Sequence, residues 1–178
     1  LGFAGVGKVL CQVALEQAVE LLQSSADGNV LVFMPGEGDI NRALSFCRSR
    51  FSVDPSATTF DRPGKGFSFH LGGGGGKSKS KSILVGIRPF HGKLTPTERD
   101  AVLSPREDRV IVFTTNYAET GITVDNVRYV IDTGLERRAR FNHHTNMQEL
   151  ITKSITKSSI RQRTGRAGRV SSGICVRL

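Results

Sequence analysis

The sequence predicts an α/β domain with a mostly parallel sheet flanked by helices. Three observations carry that prediction. Short continuous apolar runs, such as residues 30–34 and 110–113, read as strands buried on both faces. Stretches with apolar residues at helical spacing separate them. Polar and glycine residues follow the runs, at the carboxyl ends where parallel sheets place their ligands.

Taken in order, Leu10, Val13, Ala14, Ala18, Leu21 and Leu22 follow helical spacing and predict an amphipathic helix over 9–25. With a lead-in before it, this helix fills residues 1–28, and the main domain runs from 29 to 178. Asp27-Gly28 breaks the helix. Residues 30–34 are a buried strand ended by Pro35-Gly36. Ile40, Ala43, Leu44 and Cys47 mark a second helix. Residues 83–87 are the next strand. Thr95-Pro96-Thr97-Glu98 places a capping Thr, a Pro at the first helical position and a Glu at the third, a capping box. Residues 110–113, 127–131 and 173–177 are further strands. Residues 136–155 read as two strands joined by a polar turn at Asn142-His143-His144-Thr145-Asn146, a β-hairpin. Adjacent histidines diverge in extended chain and have no soft ligand beside them, so no metal site is assigned. The stretch at about 54–82 differs: Gly72 to Gly76 are all glycine, and Lys77-Ser78-Lys79-Ser80-Lys81-Ser82 follows. It is expected to be a flexible linker or surface insertion.

The composition narrows the partners. The chain has 178 residues, 38% hydrophobic and 23% charged, which suits one soluble domain with a core. No apolar run approaches membrane-spanning length, so no membrane partner is expected. Cys11, Cys47 and Cys175 are far apart and odd in number, and read as reduced core thiols in an intracellular compartment. The net charge of +9 is uneven: nine Lys or Arg and one acid, Glu149, lie between residues 137 and 169. That favours a nucleic acid or a nucleotide.

Gln162-Arg163-Thr164-Gly165-Arg166-Ala167-Gly168-Arg169 is the most informative stretch. On a helix, Gln162, Arg166 and Arg169 would share one face. Guanidinium groups fork onto phosphate oxygens, and paired arginines aimed at a transferred phosphoryl group are arginine fingers. A solvated basic face is the plainer alternative. Gly2-Phe3-Ala4-Gly5-Val6-Gly7-Lys8 fits the opening of a P-loop. However, Val9 stands where Ser or Thr would hold magnesium, and no strand precedes it. It reads as a flexible approach to the first helix.

Three segments together resemble the DEAH-type helicases of superfamily 2. Leu31-Val32-Phe33-Met34-Pro35-Gly36-Glu37-Gly38-Asp39-Ile40 resembles their motif IV. Residues 115–125, Thr-Asn-Tyr-Ala-Glu-Thr-Gly-Ile-Thr-Val-Asp, resemble motif V, and residues 162–169 resemble motif VI. Order and spacing agree. Gly134-Leu135-Glu136-Arg137-Arg138-Ala139-Arg140-Phe141 resembles the bacterial HrpB branch in particular. The resemblance implies a RecA-like three-layer domain, the second of two in an ATP-dependent RNA helicase. The P-loop and acid box belong to the first domain, so this chain alone is expected to be inactive.

The resemblance also implies roles. Arg166 and Arg169 would reach the γ-phosphate, and Gln162 would help to order that phosphate and the attacking water. Arg163 would be structural or would support the nucleotide side. Thr123 and Asp125 match positions near the nucleotide, and Leu103 a position beside the base. Gly121 stands where many relatives have a phosphate-sensing Ser. Gly36, Gly92, Lys93, Thr115 and Asn116 match nucleic-acid-backbone contacts, as do Arg137, Arg138 and Arg140 on the hairpin. The implied cofactors are ATP and Mg2+, the latter held mainly by the first domain. The implied partners are single-stranded RNA or an RNA duplex and that first domain, and an activating protein is compatible with them. A catalytically degenerate RNA-binding scaffold, or the equivalent domain of a DNA-directed or viral helicase, fits the same motifs.

Overall fold

The computed structural model describes residues 3–25, 27–54, 66–72, 82–105, 107–120, 124–169 and 171–178, with side chains from residue 7 onward. Six strands form one sheet in the order β2-β3-β4-β1-β5-β8. They are β1 (Asn29–Phe33), β2 (Phe67–Leu71), β3 (Ile83–Phe90), β4 (Arg109–Thr114), β5 (Val127–Asp132) and β8 (Ile174–Arg177). All neighbours pair in parallel except β2, which runs antiparallel to β3. The remaining strands, β6 (Leu135–Asn142) and β7 (Met147–Ser154), form a separate antiparallel hairpin. The helices are α1 (Phe3–Ser24), α2 (Glu37–Arg50), α3 (Pro96–Leu103) and α4 (Lys157–Thr164).

The sheet is apolar on both faces because helices cover both. Val30, Val32, Ile111 and Phe113 pack with Ala14, Ala18 and Leu22 of α1 and with Ile40, Leu44 and Cys47 of α2. The alternate residues, Leu31, Phe33, Val110 and Val112, pack with Leu94, Val102 of α3 and Ala118. Alternation along a strand therefore serves two cores, which is why the strands read as unbroken apolar runs. The expected capping box is formed: Thr95 Oγ1 accepts from Glu98 N, and a Glu98 carboxylate oxygen accepts from Thr95 N at 2.9 Å.

Two expectations are corrected. The first helix begins at Phe3, not at residue 9, so residues 3–8 are wound as helical turns, not laid out as a loop that wraps phosphate. The stretch expected to be an unpacked insertion over 54–82 contains β2. Phe67 and Phe69 are buried, and the Phe69 ring stacks on Phe51 with centroids 4.2 Å apart. Beside β2 a buried ion pair joins Arg88 and Glu107. Glu107 accepts from Ser68 Oγ at 2.7 Å, and Arg88 Nη1 donates to the Phe67 carbonyl at 3.0 Å. Burial pushes the Arg88 guanidinium down to about 10. The Phe-Ser-Phe-His-Leu alternation was there to be read, but it was hidden between low-complexity neighbours. Residues 55–65 and 73–81 lie outside the described residues.

The amino end of the sheet is closed by Arg109. Its guanidinium donates to the carbonyls of Leu22, Ser25, Asp27 and Gly28 and to Ser25 Oγ. A cation is thus placed where the last carbonyls of α1 have no intrahelical partner. Asn29 ties the same edge together, donating to the Asp125 carbonyl at 2.8 Å and accepting from Val110 N at 2.9 Å. Arg109→Ala is expected to cost about 3 kcal/mol, because several buried acceptors lose a charged donor together. Arg109→Lys should recover only part, since an ammonium cannot span the same carbonyls. Urea unfolding midpoints measure both.

Candidate nucleotide and nucleic-acid sites

The parallel strands β1, β3, β4 and β5 all finish on one edge, and their terminal residues are laced together there. Met34 N donates to the Thr114 carbonyl at 2.7 Å. Thr114 Oγ1 donates to the Phe90 carbonyl at 2.9 Å, and Thr133 Oγ1 to the Phe33 carbonyl at 2.8 Å. The loops after the strands are therefore fixed with respect to one another. Most of the residues assigned to nucleic acid stand on this edge. Thr115 Oγ1 accepts from Tyr117 N at 3.3 Å and opens a 3-10 turn, Asn116–Ala118, which leaves Asn116 exposed. A side chain at Gly92 would touch the Tyr117 ring, which itself packs on Phe90. Lys93 is exposed, and its Nζ pairs with Glu37 Oε2 at 2.8 Å.

Gly36 and Arg137, assigned separately from sequence, prove to be in contact. The Arg137 side chain passes over Gly36 so closely that a Cβ there would lie 2.8 Å from Arg137 Cδ. Arg137 N donates to the Pro35 carbonyl at 3.0 Å, and Arg137 Nη2 pairs with the buried Asp39 carboxylate at 3.2 Å. Asp39 also pairs with Arg42. These contacts root the hairpin on the first turn of α2. Arg138 pairs with Glu136 at 2.8 Å. Arg140 is exposed and stands opposite Glu149 in the ladder. His143 and His144 lie in the turn, where Asn142 Oδ1 accepts from His144 N.

The second group surrounds α4. The helix stops at Thr164, with Gly165 as its C-cap. Gln162, Arg166 and Arg169 therefore do not share a helix face, which corrects the sequence expectation. The chain continues in tighter turns, with Arg166 N donating to the Arg163 carbonyl at 3.0 Å and Ala167 N to the Thr164 carbonyl at 3.1 Å. Gly168 then takes φ 73°, where a Cβ would lie 2.9 Å from Ser171 O. Only glycine adopts that turn without strain. Gln162 and Arg169 are exposed; Arg166 is buried and donates to the Glu119 carbonyl. Burial lowers the pKa of the Arg166 guanidinium, and the nearby positive charge of Arg169 lowers it further.

Arg163, expected to be structural or to support the nucleotide side, is 0% exposed and faces inward. Its Nε donates to Glu119 Oε1 at 2.8 Å, and its Nη1 to Asp132 Oδ1 at 2.8 Å and the Leu135 carbonyl at 3.2 Å. The guanidinium lies over the Phe33 ring at 4.8 Å. Arg163 is thus a strut linking β1, the turn after β4, the end of β5 and the base of the hairpin. Sequence reasoning missed Glu119 and Asp132 as its partners. The signal available was Asp132 itself, an acid closing a buried apolar strand, which needs a partner.

Asp125 is exposed at the opposite, amino end of β5. Gly168 N reaches the Val127 carbonyl there at 3.4 Å, so the chain from α4 runs back along β5 toward Asp125. Leu103 is half-buried and packs against the apolar cluster that Val127 and Ala167 also touch. The nucleotide-side and nucleic-acid-side assignments therefore fall on different parts of the domain. Gly121 and Thr123 lie outside the described residues.

Residues 76–171 match the helicase conserved C-terminal domain family. The chain is 33% identical over 165 residues to the ATP-dependent RNA helicase HrpA of Escherichia coli (strain K12), covering 93% of this chain and 10% of that protein. It is 33% identical over 168 residues to HrpB of the same organism, named an ATP-dependent RNA helicase, covering 93% of this chain and 17% of that protein. The crystal structure of the E. coli DExH-box NTPase HrpB superposes with a TM-score of 0.69 at 28% identity, covering 100% of this chain and 18% of that one. The chain thus spans only a minor part of these relatives.

Replacing Arg163 by Met should destabilise the domain by about 3–5 kcal/mol, because the buried Asp132 and the part-buried Glu119 carboxylates lose their shared cation. Adding Asp132→Asn should recover part of that loss. A double-mutant cycle read from urea unfolding tests the coupling.

Proposed function

The chain belongs to the helicase conserved C-terminal domain family, and from that premise we propose that it is the second motor domain of an ATP-dependent RNA helicase. In this reading Arg166 and Arg169 complete an ATP site whose remaining ligands come from a first RecA-like domain of the same polypeptide. The observation that carries it is the pairing of two guanidiniums on a rigid turn. Arg166 is fixed by the Glu119 carbonyl, and Arg169 is close enough to lower its pKa. Two neighbouring cations held by the backbone repel each other at rest and suit an anionic ligand.

ATP supplies the transferable phosphoryl group. This domain supplies prepositioned positive charge, which is worth more as negative charge spreads over the phosphoryl oxygens than in the ground state. Gln162, exposed four residues before Arg166, would orient a hydrogen-bonding partner there. Asp125, at the far end of the same path, suits ribose hydroxyls. Among the described residues no group of three or more His, Cys, Asp or Glu side chains is placed to hold a metal ion. Magnesium would be held mainly by the first domain. The loops at the carboxyl edge, with Gly36, Gly92, Lys93, Thr115 and Asn116, would contact the single-strand backbone without reading sequence. The hairpin arginines would guide the strand, and closure of the two domains would bring both surfaces into play.

In the complete natural polypeptide, Arg166→Ala or Arg169→Ala should each lower RNA-stimulated ATP hydrolysis by about a thousandfold. Steady-state turnover assays measure this, and near-normal rates would remove both arginines from the site.

A further inference from the structure

The first turn of α2 carries two acids, and each holds a cation of the carboxyl edge. The two pairs differ. Asp39 is buried, is shared by Arg137 and Arg42, and accepts a hydrogen bond on its carbonyl from Cys11 Sγ. It belongs to the framework. Glu37 is part-exposed at the helix start, and its only ion pair among the described residues is with Lys93, whose side chain is 79% exposed. The Glu37 carboxyl lies below the usual carboxylate range, held there chiefly by Lys93 and also by His91. Its position at the positive end of the α2 dipole favours the same charged state. Gly36, the N-cap, has no side chain with which to cap the helix.

Resting on the reading of Lys93 as a backbone-phosphate contact, we propose that Glu37 is an intramolecular stand-in for phosphate that sets how tightly this edge grips a nucleic acid. The carboxylate occupies one of the three ammonium donors at 2.8 Å, the geometry that a phosphate oxygen would take. A strand that engages Lys93 must displace Glu37 or lie beside a like charge. Either route weakens the contact by an amount typical of an exposed ion pair, so the exchange is easily reversed. A motor that grips and releases a backbone in each cycle needs contacts of that kind. The Asp39–Arg137 pair cannot serve, because freeing Arg137 would leave a buried carboxylate with one cation fewer and loosen the root of the hairpin.

The test uses the complete natural polypeptide and a fluorescent single-stranded oligouridylate, titrated by anisotropy at several salt concentrations. Glu37→Gln should bind about two- to fivefold more tightly. Its log affinity should also fall more steeply with log salt, by about 0.7, as one more phosphate contact is uncovered. Lys93→Ala should weaken binding, and adding Glu37→Gln to it should restore nothing. Glu20→Gln, which removes an exposed charge on α1, controls for net charge. If Lys93→Ala weakens binding but Glu37→Gln changes nothing, the masking role is overturned while the nucleic-acid edge stands. The masking role is equally overturned if Glu37→Gln acts just as strongly without Lys93, or if Glu20→Gln matches it. If Lys93→Ala leaves binding intact, Lys93 is not a phosphate contact, and the proposal fails with that reading.

Discussion

One buried guanidinium organises the functional half of this domain. Arg163 is closed off from water and held by Glu119, Asp132 and the Leu135 carbonyl, with the Phe33 ring beneath it. A cation in such a place is tolerable only when its partners are held in register. It therefore demands that the turn after β4, the end of β5, the hairpin root and α4 keep one arrangement. Asp132 adds to this by accepting from Gly134 N at 2.9 Å and pairing with Arg177 at 3.4 Å, which ties in β8. Glu119 extends it, because the residue whose carboxylate meets Arg163 also offers its carbonyl to Arg166. Arg166 and Arg169 thus stand on a turn whose geometry is set from inside.

The same division of labour recurs at the carboxyl edge. Pairs on the buried Asp39 carboxylate, with Arg137 and Arg42, orient the hairpin and the loop after β1. Exposed groups, Lys93, Asn116 and Arg140, remain available to a ligand. Arg109 plays the matching role at the opposite edge, where it closes α1. Of the many cations behind the net charge of +9, several are framework. Counting charge along the chain identifies the class of partner but not which arginines meet it.

The legible parts of the fold were those decided locally. Two-faced burial makes β1, β4 and β5 continuous apolar runs, and the α3 cap needs only Thr95 and Glu98. The hairpin around Asn142 was visible because its turn is polar. β2 escaped notice because its five residues sit between glycine-rich and polar neighbours, and its burial comes from β3, α2 and the Arg88–Glu107 pair. The phase of residues 162–169 was misread because helical spacing was extended through two glycines, where the chain leaves the helix. Nothing local distinguishes Arg163 from Arg166. Glu119 is 44 residues away in the chain and Asp132 is 31, so their convergence has no local signature.

The sequence by itself determined the class of fold, the order along the chain of its strands other than β2, the basic composition and the motifs that point to a phosphate-handling partner. These follow from periodicity, capping and residue chemistry, which act over a few residues. Only the tertiary structure decided which arginine is a buried strut and which are exposed, that Gly36 makes room for Arg137, and that Glu37 rather than solvent holds Lys93. Such assignments depend on which distant carboxylate arrives within hydrogen-bond reach, because the cost of burying a charge is set by its neighbours in space.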